Sequence, residues 1–272
     1  MDGHPRTRRR SVLWILAATA ALALGPRASG QPTGPVLELP AEDRALLEEY
    51  LGKGVIGKAV PGRVITDTLA YIPAKDRAWR YRITSGAPKG QTVEHMIHVV
   101  APEASGAGAK RSTVSLKLAI GRTDVLLFQK DAAGNLVLVS HRELDEGMLG
   151  TYTPPTPMLL KGMKPGDVHK TRFEVNVYYL KEPDKVRHSG TLEATLHYVG
   201  AYRITVPAGT YEAALIKATF KGKIGPADVD DCQYRFLSGH AGVVALVERK
   251  RISAYLLYRD RKNLGKVLLD ER

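Results

Sequence analysis

From about residue 64 to about residue 270 the chain alternates apolar and polar positions with a period of two. Trp79-Arg80-Tyr81-Arg82-Ile83 is one such run, and Gly86-Ala87-Pro88-Lys89-Gly90 joins it to the next at 92–100. A short Ala/Gly/Ser loop at 104–109 leads to runs at 113–120 and 124–129, and Asp131-Ala132-Ala133-Gly134-Asn135 turns the chain into 136–140. Three prolines interrupt the pattern at 151–157. Lys164-Pro165-Gly166-Asp167 reads as a tight turn into two long runs, 168–180 and 190–198, joined through Glu182-Pro183-Asp184. Runs at 202–206, 211–220, 233–237, 242–248, 252–258 and 266–269 complete the series. Period-two runs divided by Gly, Pro, Asn and Asp predict about a dozen strands joined as hairpins.

Helical spacing occurs once, and convincingly. Pro40 stands near its start, Glu42 and Asp43 occupy the first turn, and Leu46, Leu47, Tyr50 and Leu51 make one apolar stripe before Gly52 and Gly54. These signals predict a helix over about 41–52. The fold class is therefore mainly β: a large antiparallel curved sheet or open β-barrel with one N-terminal α-helix, and no βαβ units. Residues 31–272 form one β-rich domain, and the pattern leaves open whether the sheet closes.

The N-terminus reads as a signal peptide over residues 1–30. Arg6, Arg8, Arg9 and Arg10 precede an apolar run at 12–24, and Ala28-Ser29-Gly30 offers a cleavage site leaving Gln31, with Ala21-Leu22-Ala23 as a second site. The apolar run falls short of the roughly 20 residues that span a membrane. A periplasmic or secreted location follows, with no transmembrane span after cleavage. The sole cysteine, Cys232, excludes an internal disulfide and leaves no lipid-bearing cysteine at the end of the signal. Cleavage removes five arginines and one aspartate, lowering the net charge from +12 to +8. The densest cations, Arg249-Lys250-Arg251 and Arg259-Asp260-Arg261-Lys262, flank the apolar run 252–258. A strand there would place them at opposite ends rather than in one patch, which argues against nucleic acid as a partner.

Thr205-Val206-Pro207-Ala208-Gly209-Thr210-Tyr211 separates two alternating runs. Pro207 and Ala208 suit the middle of a type I turn, and Gly209 suits a left-handed position giving a three- or four-residue loop with a bulge. The Thr210 hydroxyl can serve backbone freed by that bulge, and Val206 and Tyr211 restart the alternation. Every residue of the motif has a folding role. The motif resembles the Val-Pro-Ala-Gly-Thr-aromatic hairpin of the TapB-like family of exported β-rich proteins of unknown function. The resemblance extends through residues 154–160, Pro165-Gly166-Asp167 and Gly242-Val243-Val244, over about residues 150–270. The chain departs from it at His240-Ala241-Gly242-Val243-Val244, where a Trp and a Gly-Val-Gly core are usual. The resemblance implies an exported protein, with an architecture similar to the envelope carriers LolA and LolB, in which a helix packs on the concave face of the sheet.

The motifs of catalysis and cofactor binding are weak. Gly52-Lys53-Gly54-Val55-Ile56-Gly57 matches a dinucleotide loop but follows a helix instead of a strand. His95 and His98, beside Glu94, would face opposite sides of a strand and cannot easily grip one metal ion. Asp228, Asp230 and Asp231 read as a solvated acidic loop, as do Glu143, Asp145 and Glu146. Cys232 and His240 lack a third group for nucleophilic work. No catalytic residue, metal or cofactor is expected. Tyrosine is enriched in the second half, at Tyr178, Tyr179, Tyr198, Tyr202, Tyr211, Tyr234, Tyr255 and Tyr258. The functional expectation is a non-catalytic protein holding a lipid-like or amphipathic small molecule on the concave face, with Val175, Val177, Tyr179, Leu196 and Tyr198 as lining. Two alternatives stand beside it: an accessory protein docking an envelope protein partner through a sheet edge, and a hydrolase acting on an envelope substrate.

Overall fold

The computed structural model describes residues 34–72, 75–100, 114–239, 241–254 and 258–271, the side chains of 254–260 excepted. The signal segment 1–30, the loop 104–109, His240, Tyr255 and the side chain of Tyr258 lie outside the described residues. A helix α1 (Ala41–Leu51) precedes thirteen strands: β1 (Ile56–Val60), β2 (Arg77–Ser85), β3 (Thr92–Val100), β4 (Ser115–Ile120), β5 (Asp124–Lys130), β6 (Leu136–Glu143), β7 (Met148–Leu159), β8 (Val168–Tyr179), β9 (Glu182–Val206), β10 (Gly209–Ile224), β11 (Ala227–Ser238), β12 (Gly242–Ala254) and β13 (Tyr258–Glu271).

Strands β2 to β13 run as an antiparallel meander, and β13 returns to pair with β2. The pairing of β8 with β9 belongs to the same ring, so the sheet closes as a barrel of twelve strands. Closure removes the free edges that a sheet of this size would otherwise expose. The thirteenth strand, β1, lies outside the ring. It pairs Ile56 with Ile204 and Val60 with Ala201, extending the β9 edge that β8 occupies from His197 back to Glu182.

The segment 61–72 crosses one end of the barrel. Ile65 donates its N–H to the Met163 carbonyl at 2.9 Å and accepts from Gly162 at 2.7 Å. Thr68 Oγ1 donates to the Gly134 carbonyl at 2.9 Å, and the Tyr198 hydroxyl reaches the Arg63 carbonyl at 3.1 Å. These partners belong to the β5–β6 turn, the β7–β8 loop and β9, so the segment caps that end. Within the segment, Ile65 is fully buried. The opposite end, bounded by the β6–β7, β8–β9 and β10–β11 turns, has no crossing segment among the described residues.

Helix α1 packs on the outer face of the barrel, against β12, β13 and β2. Leu47 and Leu51 are buried there, and the Tyr50 carbonyl accepts from Thr84 Oγ1 at 2.7 Å. Asp43 fastens the first turn, accepting from Lys217 Nζ at 3.0 Å and from the Tyr234 hydroxyl at 2.6 Å. The helix thus lies opposite to the concave-face position that the carrier likeness implied. Because α1 supplies an apolar cover outside, Cys232, Tyr234 and Phe236 of β11 face outward, and Asp231, Gln233 and Arg235 face the lumen.

Other expectations are corrected by register. The Val206–Tyr211 hairpin is a two-residue turn at Pro207 and Ala208, with Val206 opposite Gly209 and Thr205 opposite Thr210. The first irregularity of that ladder comes later, between Leu215 and Ile216. Gly209 does take positive φ, at 136°, and Thr210 meets Thr205 hydroxyl to hydroxyl at 3.3 Å instead of serving freed backbone. The prolines at 154–157 sit inside β7, which tolerates them because β8 pairs only with its first half, from Met148 to Thr153. Asp228, Asp230 and Asp231 belong to β11 rather than to a loop, and Glu143 ends β6. The two basic groups are cross-strand neighbours in the β12–β13 hairpin, where Lys250 stands opposite Lys262 and Arg251 opposite Arg261.

Candidate functional site

The lumen has two layers. Toward the cap, Leu116, Phe128, Leu136, Leu138, Leu159, Leu196 and Tyr198 pack as a buried apolar floor. Toward the opposite end the wall mixes half-buried apolar residues, among them Leu118, Leu126, Val177 and Leu246, with charged ones. Residues directly opposite in an antiparallel ladder share a face. On that rule Asp124, His141 and Glu143 (β5 and β6), Asp231, Gln233 and Arg235 (β11), Glu248 and Lys250 (β12), and Lys262 and Lys266 (β13) all point inward. The bridge of Lys250 Nζ to Glu143 Oε1 at 3.6 Å spans the lumen, since β12 and β6 are far apart around the ring.

The polar and charged groups nearest the uncapped end pair with one another. His141 Nε2 meets Asp124 Oδ1 at 2.8 Å and its Nδ1 lies 3.9 Å from Glu143. Lys262 Nζ lies 3.6 Å from Glu248. Burial opposes ionisation of Asp124, but hydrogen bonds from His141 and Thr123 and the nearby Lys262 outweigh it and bring the carboxyl down to about 2. Asp124, His141 and Glu143 hold donor atoms within 4.8 Å of one another and are a metal-capable set. Lys250 beside Glu143 and Lys262 near Asp124 already supply positive charge there.

Deeper in, the balance changes. Arg235 is 7% exposed and Lys266 5%. Arg235 donates through Nε to Gln233 Oε1 at 3.1 Å, adds a second bond from Nη2 to the same oxygen, and aims Nη1 at Met158 Sδ across the lumen at 3.8 Å. Lys266 Nζ meets His95 Nε2 at 2.9 Å and sits 5.5 Å from the Tyr81 ring centre. Burial pushes Arg235 down to about 10 and Lys266 down to about 8. Gln233 also donates from Nε2 to Asp231 Oδ2 at 2.7 Å, while Asp231 Oδ1 is buried without a partner. Burial and the neighbouring Glu248 raise the Asp231 carboxyl to about 6.

All five residues named as lining lie on the lumenal face. Val175 is buried, Val177 half-buried, and Tyr179 exposed at the rim with Arg187 stacked 5.4 Å from its ring. Leu196 and Tyr198 are sealed into the floor. His95 faces the lumen, whereas His98 is outside and paired with Asp76 at 3.3 Å, so the two do not converge. Cys232 lies on the outer face near Lys217 and Tyr234, away from His141. Sequence reasoning did not single out Arg235, Lys266 or His141. The available signal was the period-two series Asp231, Gln233, Arg235, which alternation alone assigns to solvent.

No protein-family model matches the chain, and no curated protein matches it. The TapB-like resemblance therefore rests on the motifs alone. Three solved structures are similar. A hypothetical lipoprotein, YmcC, from Escherichia coli is 9% identical, with 86% of this chain and 98% of that one covered at a TM-score of 0.35. A candidate lipoprotein from Parabacteroides distasonis is 12% identical over 73% of this chain and 95% of that one, at a TM-score of 0.32. A candidate exported protein with a YmcC-like fold from Bacteroides fragilis is 10% identical over 72% and 94%, at a TM-score of 0.26. No helix among the described residues is long and apolar enough to cross a membrane.

Proposed function

We propose that this chain is an exported envelope protein that holds an amphipathic, lipid-like molecule in the barrel lumen and performs no chemistry on it. The signal-like N-terminus supports export. The observation that carries the binding reading is Leu246. Its neighbours Ala245 and Val247 are fully buried on the outer face, yet Leu246, on the lumenal face, is only half-buried. Solvent therefore reaches an apolar side chain inside the barrel, between charged ones, and an amphipathic occupant matches such a wall. Val175, Val177 and Tyr179 lie along its path from the rim, and Leu196 and Tyr198 form its floor. The edge-docking alternative is less favoured: β1 has only five residues, and Arg44 reaches its Ile56 and Gly57 carbonyls at 3.4 and 3.5 Å.

Native mass spectrometry of the exported protein tests the reading. A lipid-sized adduct that disappears in Leu246→Trp, at unchanged folded charge-state distribution, is expected. A clean apo mass after incubation with envelope lipid extract removes the reading and leaves partner docking.

A further inference from the structure

We infer that Arg235 and Lys266 form an oxyanion clamp, so that the lumenal ligand is an amphiphile with an anionic head group; this rests on the proposed lumenal binding. The two residues stand opposite the same residue, Leu246, on either side of it in the β11–β12–β13 ladder. At ordinary strand spacing their Cα atoms are about 10 Å apart on one face, a gap two long side chains can close around a head group. Among the described residues neither makes an ion pair. Asp231 and Glu248 act on Arg235 only through space, Glu248 and Asp124 likewise on Lys266, and the lumenal carboxylates Asp124, Glu143 and Glu248 are in contact with His141, Lys250 and Lys262 instead. The acceptors these two cations have are neutral: one amide oxygen, one thioether sulfur and one imidazole nitrogen. A guanidinium carries five N–H donors and an ammonium three, so both retain donors for an incoming oxyanion.

Burying two cations without a carboxylate costs stability, and a purely structural barrel would do as well with apolar residues there. Their lowered proton affinity has the same origin, and a bound anion would reverse it. Leu246, half-buried between them, provides contact for the start of an alkyl chain. Asp231 Oδ1, buried and unpartnered at the other end of the Asp231–Gln233–Arg235 chain, is placed to accept from a head group that carries a hydroxyl or amide beside its charge.

Calorimetric titration of the exported protein with dodecanoate, dodecyl phosphate and dodecan-1-ol tests the clamp. Dodecanoate or dodecyl phosphate is expected to bind at least tenfold tighter than the alcohol, and sulfate is expected to compete. Which of the two anions binds tighter separates a carboxylate from a phosphate head group. In Arg235→Met/Lys266→Met the preference for the anions is expected to vanish while the melting temperature holds or rises. Equal affinity of the wild type for dodecanoate and dodecan-1-ol overturns the clamp and leaves lumenal binding standing. Binding of none of the three overturns both. The wild-type comparison and the sulfate competition decide the matter even if the double variant does not fold.

Discussion

Lys266 Nζ and His95 Nε2 lie 2.9 Å apart, a hydrogen bond between two bases in a space both are buried in. Only one can carry a proton at that contact. Burial, with Lys266 next to it, lowers His95 well below 6.5, so the imidazole is the neutral acceptor and the ammonium the donor. Tyr81 packs against His95, its ring centre 4.4 Å away, and its hydroxyl is anchored to the Val243 carbonyl at 2.7 Å.

The lowered affinity of Lys266 gives stability a definite pH dependence. Between about 8 and 10.5 the unfolded chain holds a proton that the folded chain has released, so stability rises with pH through that window. The group contributes about 3 kcal/mol across it, at 1.36 kcal/mol per pH unit. Urea denaturation of the wild type and Lys266→Met at pH 7.5 and 10.5 is expected to show this rise in the wild type alone.

Asp231 acts in the opposite direction at acid pH. Its folded affinity is raised from 3.8 to about 6, so the folded chain keeps a proton that the unfolded chain loses. Stability from this group is complete below 3.8 and is lost as pH rises to 6, by about 3 kcal/mol. Asp231→Asn is expected to abolish that decline and to be the more stable protein at pH 7, measured by denaturation at pH 4.5 and 7.

Asp43→Ala is expected to loosen α1 from the barrel wall. It removes the acceptor of Lys217 and of the buried Tyr234 hydroxyl together. A cost of about 2–4 kcal/mol follows from two lost bonds to a charged group. Hydrogen exchange is expected to rise across residues 41–51 while strands β5 and β6 keep their protection.

Gly190 sits where β9 passes close over β10. A Cβ there would run into the Lys223 carbonyl and Ile224 Cα, both backbone. Gly190→Ala is therefore expected to cost about 3 kcal/mol, at the upper end for overpacking, because backbone cannot turn aside as a side chain can. Gly90→Ala is a useful contrast. Its φ is +88° but nothing lies near its Cβ, so only the left-handed backbone cost remains, about 1 kcal/mol. Thermal melts of the two variants compare them directly.

Strand existence and helix span were legible because both depend on short-range periodicity. The 41–52 stripe became Ala41–Leu51, and the runs from 79 onward became hairpins. Closure was not legible, since it depends on β13 meeting β2, a pairing across most of the chain that no local turn encodes. The lumenal site was hidden for a sharper reason. In β11, alternation assigns Tyr234 and Phe236 to the core and Gln233 and Arg235 to water. Helix α1 reverses the assignment by making an apolar environment outside the barrel. The lining set came from tyrosine enrichment and long strands, which locate the lumenal face but not its depth: Tyr198 is in the floor and Tyr179 on the rim.

Among the described residues, the capping segment at 61–72 crosses one end of the barrel and leaves the other uncrossed. Whatever enters must leave by the same mouth, so two molecules cannot pass and no flux can run through. For an occupant of the kind proposed, exchange would be sequential, the departure of one molecule preceding the arrival of the next. On the proposed reading the barrel would fill and empty as a cup does and not as a pipe.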